Sequence, residues 1–389
     1  MATDSLPQTT APAQGASLPR EPRAWLWEPL LIFGVSRFVL FVLAAFAQSI
    51  FPLANKAAPD PYGQPPLLSH WLRWDAGWYL SIVNHGYGFD PVTHIGSVAF
   101  YPLYPILVWA VSRLTGDAPA VAVILPNVFF ALALIFLYRL VERKLNRRIA
   151  QRTVLFLTLF PFAFFYSAAY TESLFLLLAT LSFLAAENDR WWVSGILGFL
   201  CALSRPTGII LGPTLLLLYL EKRHFQWRKL DWRVLSVGLI PLGTVLYAAY
   251  LGLVFSDPFA AFQASEIGWK HYNVFVDGFA RLDPFTFGPS DYNFVLALNV
   301  LVTVIWILSA IPTFRLLGPG YACFVLLGAA LPFSTVTESL GRYVSVVFPT
   351  FIVIAYYLRN RTMELYLLAG GAALLALFTV LFADSYWIV

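Results

Sequence analysis

The chain has 389 residues, 59% of them hydrophobic and only 12% charged, with a mean hydropathy of +0.71 and a formal net charge of +4. Soluble domains are about 45–50% apolar and about 25% charged, so a soluble globular protein is excluded, and the long unbroken apolar runs disfavour the alternating pattern of a membrane barrel. The small positive charge comes from residues that flank apolar runs and build no separate basic domain, which points to membrane topology and away from nucleic acid.

Residues 1–24 are rich in Pro, Gln, Ala, Thr and Ser and read as a disordered cytoplasmic tail, without the basic and apolar regions of a signal peptide. Residues 25–389 read as a single transmembrane domain. Its apolar runs fall at about 27–51, 118–141, 153–169, 172–187, 191–204, 207–220, 233–256, 292–314, 319–333, 343–358 and 363–383. A span needs about 20 residues, fewer where neighbours cover it, which gives about eleven crossings and an all-α polytopic membrane protein. The run 99–114 is short and interrupted by Pro102 and Pro105. Laid along the membrane surface, it leaves the basic clusters Arg139–Arg152 and Lys222–Arg233, with Arg315, Arg359 and Arg361, on the same cytoplasmic side as Arg20 and Arg23. Counted as a crossing, it would put the Arg139–Arg152 cluster outside, against the positive-inside bias. It is therefore read as interfacial.

This topology sends the polar clusters that interrupt the apolar runs to the outer face, while Arg37 stays within the first span. The first outer loop, 52–117, carries Asp75; Thr171-Glu172-Ser173, Arg205-Pro206-Thr207-Gly208, the outer loop 257–291 and Glu338 to Tyr343 join it. The cytoplasmic loops are short and basic, so chemistry is expected outside. Cys201 and Cys323 lie inside apolar runs and read as small buried hydrophobes. No internal repeat, Walker A loop, dinucleotide fingerprint or HExxH signature is present in the sequence.

The stretch Trp71-Leu72-Arg73-Trp74-Asp75-Ala76-Gly77-Trp78-Tyr79 places an acid among aromatics just after the first apolar run. A helix over 68–86 would put Trp71, Trp74, Trp78 and Ile82 on one interfacial face with Asp75 on or beside it. An acid near a bilayer is costly unless paired or needed, so Asp75 is the candidate catalytic base. Glu172 has an adequate local explanation, since Thr171 can cap the following helix and the helix dipole favours an acid there. Arg205 and Arg342 have the donor geometry that grips a lipid phosphate, with snorkelling and a local Glu338–Arg342 ion pair as plainer alternatives. Trp74 and Tyr79 are candidates to stack on sugar or prenyl chain, and Tyr170 and Tyr343 join the candidate substrate contacts. In the loop 257–291 the plainest reading is a solvated cover, with His271 as its one candidate contact. His85 and His94 match no standard metal spacing, and no metal ligand set is assigned.

Several blocks in order carry a family resemblance. Arg73-Trp74-Asp75-Ala76, His85-Gly86-Tyr87 and Phe100-Tyr101-Pro102-Leu103-Tyr104-Pro105 are followed by Ser167-Ala168-Ala169-Tyr170-Thr171-Glu172-Ser173-Leu174-Phe175, Ser204-Arg205-Pro206-Thr207-Gly208, Gly341-Arg342-Tyr343 and Phe348-Pro349. Spread over roughly residues 27–358, they resemble the PIG-V-type mannosyltransferases of the GT-C superfamily. The resemblance implies a GT-C-type helical bundle with surface helices in the first outer loop, a catalytic acid in that loop, and a polyprenyl-phosphate-linked sugar, mannose, as donor in place of a cofactor. It implies as partners polyprenyl-phosphate-mannose, a lipid or glycolipid acceptor and the membrane lipids. The chain departs from the pattern in placing Pro206 after Arg205 where a small polar residue is frequent, and Thr171 where Ser is usual.

The expected reaction is a single inverting displacement with Asp75 as base. It takes place on the periplasmic or lumenal side of a multi-pass membrane protein whose N-terminus is cytoplasmic, with a bacterial plasma membrane as the expected setting. A GT-C enzyme moving another prenyl-linked sugar, such as glucose or arabinose, and a lipid or solute transporter using the same outer cavity remain as alternatives.

Overall fold

The computed structural model describes residues 23–50, 62–268 and 293–388. Secondary structure among them is helical apart from a single isolated bridge between Phe89 and Gly96. The principal helices are α1 (Ala24–Ala45), α2 (Asp75–His85), α3 (Leu103–Thr115), α4 (Ala118–Lys144), α5 (Arg147–Thr158), α6 (Glu172–Glu187) and α7 (Trp191–Ser204). They continue with α8 (Leu211–Lys222), α9 (Leu239–Phe255), α10 (Asn293–Leu317), α11 (Pro319–Thr335), α12 (Leu340–Ser345), α13 (Pro349–Tyr357) and α14 (Arg361–Ala383).

Local signals set several helix starts. The Asp117 side chain accepts from the Ala120 N–H at 2.9 Å, with Pro119 in the first turn of α4. Asn146 caps α5 through Ile149 N–H at 3.0 Å, and Asn360 caps α14 through Thr362 N–H at 2.9 Å. Each satisfies a backbone donor that a helix start leaves unpaired.

Among the described residues, five helical stretches are long and apolar enough to cross a membrane: α1, α4, Trp232–Phe255 (a 3₁₀ lead-in to α9), α10 and α14. The other apolar runs are either single shorter helices, as at α6, α7 and α11, or broken into pieces, so helix length alone does not give the count of eleven. The run 153–169 leaves α-helix after Thr158 and continues through a 3₁₀ turn at Ala163–Tyr166. Residues 162–175 are all buried, the condition under which non-helical backbone is tolerated at membrane depth. The run 207–220 opens as a 3₁₀ stretch at Pro206–Ile210 before α8 begins, and the run 343–358 divides into α12 and α13 at Val346–Phe348. Helix α3, at 13 residues, covers the run read as interfacial.

The bundle has two polar ends. At one, Lys144 pairs with Glu187 at 2.6 Å, Arg147 with Glu28, and Arg152 with Glu364 at 2.8 Å. These are the last residues of α4 and α6, the second turn of α1, the first turn of α14, and α5 between them. At the other end of the same helices lie Phe41 of α1, packed on Trp71 with ring centroids 4.9 Å apart, Glu172 at the start of α6, and Ala383 at the close of α14. Asp75 belongs to this second end. Between the two, an aromatic core runs from Phe130 stacked on Tyr166 at 4.3 Å to Phe165 and Tyr170 packed on Phe382.

Candidate active site

The chain does not form the continuous helix expected over 68–86. A single turn at Pro66–Ser69 ends, and α2 restarts at Asp75. Between them Trp74 takes φ 51° and ψ −113°, a combination that costs a non-glycine residue of the order of 1–3 kcal/mol and persists only where the surroundings enforce it. They do so visibly. The Ala383 carbonyl accepts from Arg73 Nε at 3.1 Å and lies 3.2 Å from His70 Nδ1, the Tyr170 hydroxyl donates to the Arg73 carbonyl at 3.1 Å, and the Ala169 N–H donates to the Trp71 carbonyl at 3.2 Å. The break separates the tryptophans that one helix would have aligned. Trp71 is buried against Phe41 and Phe382, whereas Trp74 is 38% exposed and meets Trp387 edge-on at 4.7 Å.

Asp75 thereby begins α2 and reaches an ionic chain contributed by three other segments. Its Oδ2 accepts from Arg342 Nη1 at 2.6 Å; Arg342 Nε donates to Glu172 Oε1; and Arg205 Nη1 donates to that same oxygen at 2.9 Å. Two cations and two carboxylates balance, which matters because unpaired buried charge is prohibitively costly. The members differ in access. The Glu172 side chain is 0% exposed, Arg205 6% and Arg342 8%, while Asp75 is 26% exposed. Asp75 is thus the carboxylate of this chain most open to an incoming group. Glu172 keeps its second oxygen buried without a partner, an acceptor the protein itself leaves unused.

Backbone geometry brings the two arginines in. A Cβ on Gly208 would lie 2.3 Å from the Cys201 carbonyl oxygen, so only glycine lets the chain after Arg205 fold back on α7. A Cβ on Gly341 would lie 2.3 Å from the Phe162 ring, and the Gly341 N–H donates to Asn299 Oδ1 at 2.6 Å, fixing Arg342 against the core. Aromatic faces complete the setting: the Arg342 guanidinium lies 4.4 Å from the Tyr170 ring centroid, and that of Arg205 lies 5.0 Å from Tyr343 and 5.9 Å from Phe175. Such faces favour a cation where water is scarce.

The structure therefore brings together Asp75, Tyr170, Glu172, Arg205, Arg342 and Tyr343. The plainer local account of Glu172 holds only in part: it is an acid in the first turn of α6, but Thr171, the N-cap residue, makes no side-chain cap bond, and Glu172 spends its charge on two distant arginines. Arg342 likewise pairs with Glu172 and Asp75 across the fold. Tyr79 lies behind the site, buried edge-on between Phe100 and Tyr104, each at 5.0 Å. Trp74 stands at the rim. His271 falls outside the described residues. The segment Asp384-Ser385-Tyr386-Trp387-Ile388, absent from the candidates named above, packs beside Trp74 through Trp387. The signal was available, since an acid among aromatics at the end of an apolar run is the pattern that singled out Asp75.

Comparison with known proteins gives first a class. Residues 99–249 match the family model of dolichyl-phosphate-mannose-protein mannosyltransferases, a segment that holds Tyr170, Glu172 and Arg205 but neither Asp75 nor Arg342. The particular relatives are narrower. The chain is 30% identical over 256 residues to the rat GPI alpha-1,6-mannosyltransferase 2, covering 60% of this chain and 50% of that protein. It is 28% identical over 259 residues to GPI mannosyltransferase 2 of Yarrowia lipolytica, covering 62% of this chain and 69% of the relative. The resemblance to the PIG-V-type mannosyltransferases is borne out, and the chain spans about half the length of the rat relative. Among solved structures, an oligosaccharyltransferase of Archaeoglobus fulgidus aligns over 94% of this chain and 56% of its own at 15% identity and a TM-score of 0.48.

Proposed function

We propose that the protein is a membrane mannosyltransferase of the GT-C type that moves mannose from polyprenyl-phosphate-mannose to a hydroxyl of a lipid or glycolipid acceptor on the non-cytoplasmic face. The observation that carries this reading is the pairing of Asp75, the most exposed carboxylate of the ionic chain, with Arg342, one of two arginines held at the same point. Asp75 takes the proton of the acceptor hydroxyl as its oxygen attacks the anomeric carbon. The carbon–oxygen bond to phosphate breaks on the opposite face, the sugar inverts, and polyprenyl phosphate leaves with the electron pair. A positioned base contributes about 10²–10⁴-fold.

Arg342 meets the developing phosphate charge directly, and Arg205 sustains the positive potential behind it. Both are tied to Glu172, so phosphate competes with that carboxylate and with Asp75 for the guanidinium of Arg342. That competition frees Asp75 for its proton when donor is bound. Trp74, exposed at the rim, is placed to stack on the sugar or the first prenyl units. An apolar groove of about 610 Å³ between α1 and α4, lined by Phe33, Phe41, Leu67, Leu68 and Ile124, offers a prenyl chain a lateral course towards the turn before Trp71. The active site then faces the periplasm or lumen, the basic end faces the cytoplasm, and the surrounding membrane is a bacterial plasma membrane.

The decisive assay incubates purified protein with labelled polyprenyl-phosphate-mannose and a membrane lipid extract and identifies the product by mass spectrometry. A mannosylated lipid of inverted anomeric configuration is expected. Transfer only from a prenyl-linked glucose or arabinose would move the reading to another sugar, and lipid transport in liposomes without transfer would overturn it.

A further inference from the structure

The closing residues of the chain are not a loose end. Helix α14 finishes at Ala383, whose carbonyl is among those a helix terminus leaves without an intrahelical donor. Arg73 Nε donates to it at 3.1 Å, with His70 Nδ1 at 3.2 Å. The next residue, Asp384, is fully buried, and neither carboxylate oxygen has a hydrogen-bond partner. Buried polar groups are normally satisfied, so an orphaned carboxylate calls for a reason. Its charged neighbour is Arg73: burial raises the Asp384 carboxyl to about 6, and the Arg73 guanidinium opposes that rise. Three residues on, Trp387 packs edge-on against Trp74 at 4.7 Å. The chain end thus grips both residues that immediately precede Asp75.

We propose that Asp384 is a positioning residue, which together with the terminal carbonyl of α14 anchors Arg73 and so holds the strained Trp74 turn that aims Asp75 at Arg342. The negative pole of α14 and the Asp384 carboxylate act on one cation in the same sense. The Tyr170 hydroxyl restrains Arg73 from the other side through its carbonyl, at 3.1 Å. Without the charge at 384, Trp74 relaxes towards ordinary helical dihedrals, α2 extends backwards, and the Asp75 carboxylate turns away from the reacting centre. The inference rests on the reading of Asp75 as the base, but the anchoring itself does not.

The test uses the full chain in lipid nanodiscs and the substitution Asp384→Asn, which keeps the shape and removes the charge. A merely structural residue of this kind leaves activity alone, and neutralising an unpartnered buried carboxylate does not lower the melting temperature. The proposal expects an unchanged or raised melting temperature, faster hydrogen exchange at the amides of residues 71–80, and kcat for mannose transfer lowered about ten- to a hundredfold with donor KM unchanged. The amides of Ala76 and Gly77, bonded to the Arg73 and Trp74 carbonyls at 3.1 and 3.0 Å, are the reporters. Wild-type exchange in this segment, or faster exchange with wild-type kcat, would overturn it. If the unsubstituted protein transfers no mannose, the proposed function fails while the exchange measurement still decides the anchoring. Should Asp384→Asn not fold, Trp387→Ala carries the same two readouts and the same expected directions.

Discussion

The two polar ends of the bundle use the same residue types and arrive at different arrangements. At the basic end the ion pairs are closed off, although Glu221 keeps Oε2 buried without a hydrogen-bond partner. Arg152 spends Nε on Glu364 at 2.8 Å and its two remaining nitrogens on the Ala355 and Leu358 carbonyls; Tyr138 and Arg147 share Glu28; Lys222 and Arg223 settle on Asp189 and Asp231. At the opposite end, Glu172 shares one oxygen between two arginines and leaves the other buried and unpartnered, Asp384 leaves both unpartnered, and Asp75 keeps a quarter of its surface open. A structural ion pair uses up its donors and acceptors, whereas Glu172 and Asp75 keep some in reserve for a substrate and the Asp384 charge acts on Arg73. What marks the functional end is unused capacity beside an open carboxylate, Glu172 next to Asp75, whereas among the described carboxylates of the basic end Glu221 alone keeps a buried oxygen unbonded.

The largest expected effect breaks the comparison at its most exposed member. Asp75→Asn keeps a side chain of the same shape beside Arg342 and should lower mannose transfer by about 10²–10⁴-fold while leaving the protein folded. Initial rates with saturating donor, read beside a melting curve, measure both. Transfer within a few-fold of wild type in a folded variant would remove Asp75 as the base.

Next in size is Glu172→Gln, which strips the carboxylate from between two buried arginines. Breaking a buried ionic group by removing one partner costs about 3–5 kcal/mol, so denaturant unfolding should show a deeply destabilised protein. The matching change at the basic end is Glu364→Gln. Arg152 there retains two backbone carbonyls, and the loss should be nearer the roughly 1.5–3 kcal/mol of a single hydrogen bond to a charged group, with transfer unchanged. Equal losses for the two variants would mean that the two ends are built alike after all.

Much of the site was legible in the sequence because polar residues in an apolar chain are conspicuous. Asp75, Glu172, Arg205 and Arg342 each interrupt or border an apolar run, and the fold gathers all four. Their pairing was not legible. Glu172 lies 33 residues from Arg205 and 170 from Arg342, and the local alternatives, a capped helix start and a Glu338–Arg342 pair, were equally consistent with spacing alone. The helix over 68–86 failed for the same reason: periodicity registers side-chain pattern, but the Trp74 turn is imposed by Ala383, Tyr170 and Ala169 from distant segments. Where an apolar run breaks was not legible either, because a run of apolar residues has the same composition whether it continues as one helix or, as at Thr158 and Val346, breaks within the protein.

The smallest predicted effect lies at the basic end, in Lys144→Gln. Lys144 reaches Glu187 Oε1 at 2.6 Å, yet the two side chains are 28% and 22% exposed, and Glu187 keeps the Tyr321 hydroxyl at 2.9 Å when the lysine is gone. Partly exposed pairs contribute about 0–1 kcal/mol and are weakened by salt. The substitution should therefore shift the unfolding midpoint slightly at low ionic strength, less at high, and leave transfer untouched. Unlike Glu172, Glu187 has an alternative donor and a route to water, so nothing is left stranded. A marked loss of transfer in Lys144→Gln would show the basic end coupled to the chemistry, and unused capacity would no longer separate a site from a structural network in this bundle.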